Sequence, residues 1–440
     1  MKQTLILLLA MSLTACSGSS QNIDKAKLDA YFDTLANNNR FMGSVAISQN
    51  NKLIYTKSVG FANIEQGVKA DKNSKYRIGS ISKTFTAVLV LKAIEENKLS
   101  LNQTIKTFFP AIENAGEITI AHLLWHRSGI HSFTDDISDP DWATKPKTKQ
   151  EMIDIISKVG SDFEPDTKAS YSNSNFVLLT FILEDIYKQS YAKILKEKIA
   201  KPLGLKNTYL GKKIDIKDNE CDSYMYIDSW EVKSEADMSI PLGAGGIVST
   251  PTDLMLFSQA LFNGKLISIN SLTQMKTVKD HFGMGLFQMP FYDQIGFGHN
   301  GAIDGFASLF AYFPDSKISF AYTANGINYN GNDIAIVILS AAYNKPFEIP
   351  KFTTYDVTDE ELDKYLGVYS TEQLPLKMTI TKANGKLFGQ GTAQPSFPLE
   401  ATGKDEFKFE LVGVVLEFNP ADRTMVLKQN GGIFNFVREE

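Results

Sequence analysis

The segment Thr84-Phe85-Thr86-Ala87-Val88-Leu89-Val90-Leu91 is apolar nearly all round and reads as a buried helix. Ser80-Ile81-Ser82-Lys83 stands at its head, which carries a lysine into that interior. Residues three apart share a helix face, so the Lys83 amine falls beside the Ser80 hydroxyl. Burial disfavours the charged form of a lysine and lowers its pKa. Lys83 is then a proton acceptor for a hydroxyl that needs one to act as a nucleophile near neutral pH. At the start of the helix Ser80 also offers its backbone N–H at the positive end of the dipole, one half of an oxyanion hole.

A second Ser-x-x-Lys, Ser190 to Lys193, has an ordinary reading: Ser190 caps a polar helix running through Ala200. The Ser80 copy differs in company. Tyr171-Ser172-Asn173 follows it, the one Tyr-x-Asn of the chain, and His299-Asn300-Gly301 comes later inside Gly296-Phe297-Gly298-His299-Asn300-Gly301-Ala302. Two of the five histidines precede x-Gly, because His281-Phe282-Gly283 also fits. The small residues and the strands after His299 select it.

The order Ser-x-x-Lys, Tyr-x-Asn, His-x-Gly resembles the penicillin-recognising serine hydrolases. Within them it resembles the class C β-lactamase branch, which also holds D-Ala-D-Ala carboxypeptidases, D-aminopeptidases and esterases. The segments 76–86, 123–130, 171–176 and 243–250 match that branch as well, and the likeness covers residues 24–342. It implies an α/β fold, an antiparallel sheet sandwiched by helices with a helical lobe, and chemistry through an acyl-enzyme. It gives Ser80, Lys83 and Tyr171 catalytic roles and makes Asn173, His299, Asn300 and Gly301 substrate-binding. The backbone N–H of Ala302 becomes the second oxyanion donor. Cationic neighbours would lower the pKa of Tyr171; whether Lys83 or Tyr171 is the base stays open. Asn173 would hold either a substrate amide or Lys83, Gly301 would let a substrate backbone approach, and His126 reads as structural.

Two positions depart from the family pattern. Class C β-lactamases carry Lys-Thr-Gly where this chain has His299-Asn300-Gly301; a mostly neutral histidine and an asparagine weaken the case for binding a substrate carboxylate. Asp166 stands where a glycine is usual. His-x-Gly occurs in the peptidase, aminopeptidase and esterase relatives, and the expected activity is that of a D-Ala-D-Ala carboxypeptidase or D-amino-acid peptidase acting on the cell envelope. A carboxylesterase, a class C-like β-lactamase and a non-catalytic muropeptide-binding protein are the alternatives.

The chain has 440 residues, 43% hydrophobic and 22% charged, an ordinary globular composition with material for a large core. A net charge of −5 is too mild to imply a nucleic-acid partner. No histidine cluster has metal-ligand spacing, so neither metal nor cofactor is expected. Met1-Lys2, an apolar run over residues 5–11 and Leu13-Thr14-Ala15-Cys16 read as a lipoprotein signal with Cys16 as the lipidated residue. Residues 17–23 follow as a tether. This predicts an exported protein held by its lipid anchor in the envelope, at the outer membrane and facing the periplasm, with a peptide or small-molecule substrate and no protein partner implied. Cys221, the other cysteine, reads as structural.

Residues 25–35 have amphipathic helical spacing, and residues 41–48 and 52–58 read as a hairpin around Asn50-Asn51. Residues 118–262 read as the helical lobe. Residues 298–300, 307–313 and 318–323 read as three consecutive strands, followed by a helix over 334–343 capped by Asp333. The hydrolase domain is expected over 24–345, a proline-bearing linker over 346–358, and a small all-β, lipocalin-like domain over 359–440. In that last domain Asn384-Gly385 signals a hairpin.

Overall fold

The computed structural model describes residues 23–137, 139, 141–429 and 431–439; Cys16 and the segment 1–22 lie outside the described residues. The N-terminal helix α1 (Lys25–Asn37) starts where the Asp24 side chain accepts the Lys27 N–H, and it buries Leu28, Tyr31, Phe32 and Leu35. Strands β1 (Phe41–Gln49) and β2 (Lys52–Val59) pair through Asn50-Asn51. Both asparagines hold positive φ, +50° and +62°, the hand a tight hairpin needs. Helix α2 (Ser82–Glu95) is buried at every position from Ser82 to Leu91. Helices α3 (Asn173–Tyr187) and α4 (Pro251–Phe262) belong to the same lobe.

The chain then returns to the sheet through β3 (Phe287–Phe291), β4 (Gln294–Ile303), β5 (Phe306–Phe313) and β6 (Ile318–Ile327). It closes with helix α5 (Gly331–Ala342). The sheet runs β3-β4-β5-β6-β1-β2, with antiparallel pairing along this path. Alternation along the strands divides two cores. Ala46, Phe310 and Ala321 face α2, α4 and the lobe. Val45, Ile47, Phe320 and Tyr322 face α1 and α5.

Several local expectations change. Helix α5 begins three residues earlier than its apolar pattern indicates, and its cap is Asn330, whose side chain accepts the Asn332 N–H. Asp333 already lies in the first turn. Ser190 precedes the helix Tyr191–Leu195 without a side-chain cap bond. That helix passes into a wider turn, Lys196–Ala200, with Ile199 and Ala200 buried, so the segment is not polar all round. The lobe also contains strands: Tyr209–Leu210 and Ile247–Ser249 form a three-stranded sheet with Tyr76–Arg77, the strand that leads into Ser80.

Residues 367–438 form a closed barrel of eight strands in sequential order. Asn384 and Gly385, at φ +50° and +71°, turn the hairpin between Lys377–Ala383 and Lys386–Gly391. The interior is filled by Ile380, Leu387, Phe407, Leu416, Met425 and Phe436, so the barrel centre is a packed core. It meets the first domain through Arg40, whose guanidinium pairs with Glu400 at 2.5 Å and lies 4.9 Å from the Phe352 ring. Lys386 pairs with Asp228.

Truncating Leu416 opens a cavity in this core. Leu416→Ala is expected to cost the barrel about 3 kcal/mol, read as an earlier urea transition, while reactivity of the first domain toward an activated ester stays unchanged. Loss of both together would show that the two parts unfold as one unit.

Candidate active site

The strand Tyr76–Arg77 runs into a tight turn, Gly79–Ile81, and α2 starts at Ser82. Strand β4 lies directly against this turn, and two glycines make that possible. A Cβ on Gly79, at φ +50°, would sit 2.6 Å from the Ala302 nitrogen; one on Gly301 would sit 2.1 Å from the Ile78 oxygen and 2.9 Å from the Ser80 nitrogen. The contact sets the backbone N–H groups of Ser80 and Ala302 beside one another. Gly301 therefore makes room for the protein's own backbone at the turn that carries Ser80.

Lys83 is fully buried. Its Nζ reaches three oxygens: Ser80 Oγ at 2.9 Å, Asn173 Oδ1 at 2.7 Å and the Ala244 carbonyl at 2.7 Å. No carboxylate pairs with it, and burial pulls its pKa well below the lysine range. A neutral amine has two protons and one lone pair. Asn173 Oδ1 and the Ala244 carbonyl can only accept, so they take the two N–H bonds. The lone pair then faces the Ser80 hydroxyl, the one partner of the three with a proton to give. Asn173 is fixed in turn: its Nδ2 donates to Thr134 Oγ1 at 2.9 Å and its backbone N–H to Ser132 Oγ at 3.2 Å. Of its two expected roles, the geometry assigns the holding of Lys83.

The Tyr171 phenol lies beside Ser80, which offsets part of the effect of burial on it, and its ring centre lies 4.8 Å from Lys83 Nζ. The ring stacks on His126 at 4.6 Å and is flanked by Phe282 and Phe287. Enclosed by rings, the phenol has its pKa raised by burial, opposite to the expected lowering. Burial outweighs the cation expected beside the phenol, because the nearest one, Lys83, is itself pushed by burial toward its neutral form. His126 has a structural place: at φ +57° its Nδ1 accepts the Ser172 N–H at 3.0 Å, which anchors the Tyr171-Ser172-Asn173 segment.

His299 is buried, and its Nδ1 meets the Asn300 carbonyl at 2.5 Å, which assigns the proton to Nδ1. Burial, then the Lys83 charge, pushes its pKa down to about 3. Its ring lies 4.5 Å from Phe287 and 6.3 Å from Tyr171. The structure thus gathers Ser80, Lys83, Tyr171, Asn173, His299, Gly301 and Ala302. Asn300 alternates to the other face of β4, away from His299. Cys221 is buried, with its thiol pKa raised by burial. Asp166 occupies its glycine-like position at φ +64°, with its carboxylate 2.5 Å from Arg127 Nε. No metal-binding group of side chains occurs among the described residues.

A cavity of about 260 Å³ opens beside Ser80, Asn173 and Ala302. Phe133, Ile137, Trp142 and Ile240 form apolar walls, and Asp304 lies at its edge. Among the described residues no lysine or arginine lines it. Nearby, buried Arg77 is shared by two carboxylates, Glu235 at 2.6 Å and Asp304 at 2.8 Å, and also donates to the Lys212 and Ala236 carbonyls. One guanidinium against two carboxylates leaves this edge negative. The loop that supplies Phe133 and Trp142 also exposes Asp135, Asp136, Asp139 and Asp141. None of these walls was legible in the sequence, because they come from three distant segments that share no motif.

A family model described as Beta-lactamase matches residues 28–343. The chain is 25% identical over 449 residues to Penicillin-binding protein 4* of Bacillus subtilis, covering 93% of this chain and 98% of that protein. It is 26% identical over 318 residues to the teichoic acid D-alanine hydrolase of Staphylococcus aureus, covering 70% and 74%. The solved D-amino acid amidase of Ochrobactrum anthropi SV3 superposes with a TM-score of 0.65 at 26% identity, covering 73% of this chain and 97% of that one.

If the neutral Lys83 amine accepts the Ser80 proton, labelling by a fluorophosphonate rises with pH through a midpoint below the ordinary lysine range. His299→Gln should leave that midpoint in place, since the imidazole is neutral above about pH 3. A midpoint that moves in this variant would assign the titration to His299.

Proposed function

The chain belongs to the Beta-lactamase family, and from that premise we propose that it hydrolyses amides and esters of D-amino acids whose α-amino group is free. It is a hydrolase of the peptidase and esterase type, as are the teichoic acid D-alanine hydrolase and the D-amino acid amidase it resembles. The observation that carries the finer reading is the charge of the cleft. Among the described residues no lysine or arginine lines the cavity: Asn300 faces away, His299 favours its neutral form, Arg77 is taken up by its own partners, and Lys147 has its ammonium over the Trp142 ring, 5.0 Å from its centre. The negative edge at Glu235 and Asp304 favours an ammonium group instead. A D-Ala-D-Ala carboxypeptidase and a β-lactamase both require a carboxylate to be held, so both rank behind.

In this mechanism Ser80 gives its proton to the Lys83 lone pair while its oxygen attacks the substrate carbonyl. The N–H groups of Ser80 and Ala302 take the developing negative charge. Tyr171, protonated because it is buried, donates to the departing amine or alcohol and recovers a proton from the Lys83 ammonium. Water then reverses the sequence on the Ser80 ester. The apolar cavity takes the amino-acid side chain, and its walls suit a large one.

D-Phenylalanine p-nitroanilide is expected to be hydrolysed, with its N-acetyl form at least about 10-fold lower in kcat/KM, the scale of one lost charge contact. Trp142→Ala should narrow the preference for D-phenylalanine over D-alanine. Faster turnover of nitrocefin or a D-Ala-D-Ala peptide would contradict the reading. We also place the enzyme at the cell envelope, held by a lipid on Cys16. Metabolic labelling with an alkynyl palmitate should mark the wild type and not Cys16→Ser; an unlabelled wild type rules the anchor out.

A further inference from the structure

A second cavity, about 850 Å³, lies on the α1 and α5 face of the sheet. Helix α1 covers β1 and β2 on this face and α5 covers β6, which leaves β3, β4 and β5 as the floor of a groove. Leu309, Ala311 and Phe313 line the floor, Ala335 and Ile336 of α5 form one wall, and Leu411 of the barrel forms part of the rim. Ile336 and Leu411 are exposed, at 44% and 39%. Among the described residues that line the groove there is no aspartate, glutamate, lysine or arginine.

The groove adjoins the reaction centre through a shared lining residue. Ala302, whose N–H is half of the oxyanion hole, lines both cavities. Phe287 lines the groove and packs beside Tyr171 and His299. Tyr171 is the group that protonates the leaving half of the substrate. The smaller cavity, at Asn173, takes the acyl half, so the leaving half points along Phe287 and Ala302 toward the groove.

We propose that this groove binds a linear hydrocarbon chain on the alcohol or amine half of the substrate, so that the enzyme removes D-amino acids from lipid-bearing molecules. A peptide in the same place would bring an N–H and a C=O at each residue that need partners; Gln288, Asn300 and Asn332 stand along the groove, but the Leu309, Ala311 and Phe313 side chains of its floor offer none. A hydrocarbon needs none, and each methylene withdrawn from water strengthens binding about three- to fourfold. The identity of the bond cleaved rests on the function proposed above; the affinity of the groove for an alkyl chain does not.

The test uses the full chain with methyl, butyl, octyl and dodecyl esters of D-phenylalanine below their micelle concentrations. KM is expected to fall at least about 10-fold from methyl to octyl. Ile336→Glu, which sets a charge on the exposed side of the wall, should remove that gain while its thermal transition stays at the wild-type temperature. In parallel, Ser80→Ala protein titrated with decan-1-ol should bind it, and Ser80→Ala combined with Ile336→Glu should bind it at least about 10-fold more weakly. A KM independent of chain length, a gain that survives in Ile336→Glu, or no binding of decan-1-ol overturns the inference. If none of the esters is cleaved while decan-1-ol binds as expected, the proposed reaction fails and the groove stands.

Discussion

A lysine amine buried without a carboxylate is the constraint from which the rest of this molecule follows. Left charged, Lys83 would carry an unpaired ion in the interior, at a cost of several kcal/mol. It is relieved by losing its proton and by three neutral oxygens that hold it. Two of these can only accept, which leaves the Ser80 hydroxyl to face the lone pair. The arrangement makes a base without a catalytic carboxylate or a charged histidine. Burial first, and then the charge of a protonated Lys83, also pushes His299 and His126 toward their neutral forms, so neither adds a positive charge beside the amine.

The fold serves this arrangement through close backbone contact. Gly79 and Gly301 remove the side chains that would keep β4 off the turn carrying Ser80, and the oxyanion donors come from the two segments so joined. Arg77, two residues before Gly79, ties that turn to Asp304 just beyond β4 and to Glu235 in the loop opposite. The same three groups that brace the turn give the cleft its negative edge. Structure and proposed selectivity therefore share side chains: Asp304, which braces the turn, is also the carboxylate at the cavity edge.

The parts legible in the sequence were those encoded by short spacing. Ser80 and Lys83 lie one helical turn apart, Tyr171 and Asn173 flank a helix start, and the Asn50-Asn51 and Asn384-Gly385 turns announced their hairpins because few residues accept positive φ. The protonation of Tyr171 was misread because it depends on rings from His126, Phe282 and Phe287, brought together only by the fold. The packing of Gly301 against the Ser80 turn had no local signal, because its neighbour, the Ile78 oxygen, is more than two hundred residues away in sequence. Asn330 took the cap expected of Asp333 because the backbone leaves its extended form three residues earlier than the apolar pattern shows. The side-chain cavity and the groove had no local signal, since each is a gap between elements.

The protonation state of Lys83 in the free enzyme tests the account most directly. Nuclear magnetic resonance of protein labelled at the lysine ε-carbon, with Lys83 assigned by comparison with Lys83→Met, gives the pKa of this one amine. A shift characteristic of the neutral amine at pH 7, with a midpoint well below those of the surface lysines, is the predicted result. An ammonium signal at pH 7 that titrates alongside the surface lysines would contradict it, and Ser80 would then need another base.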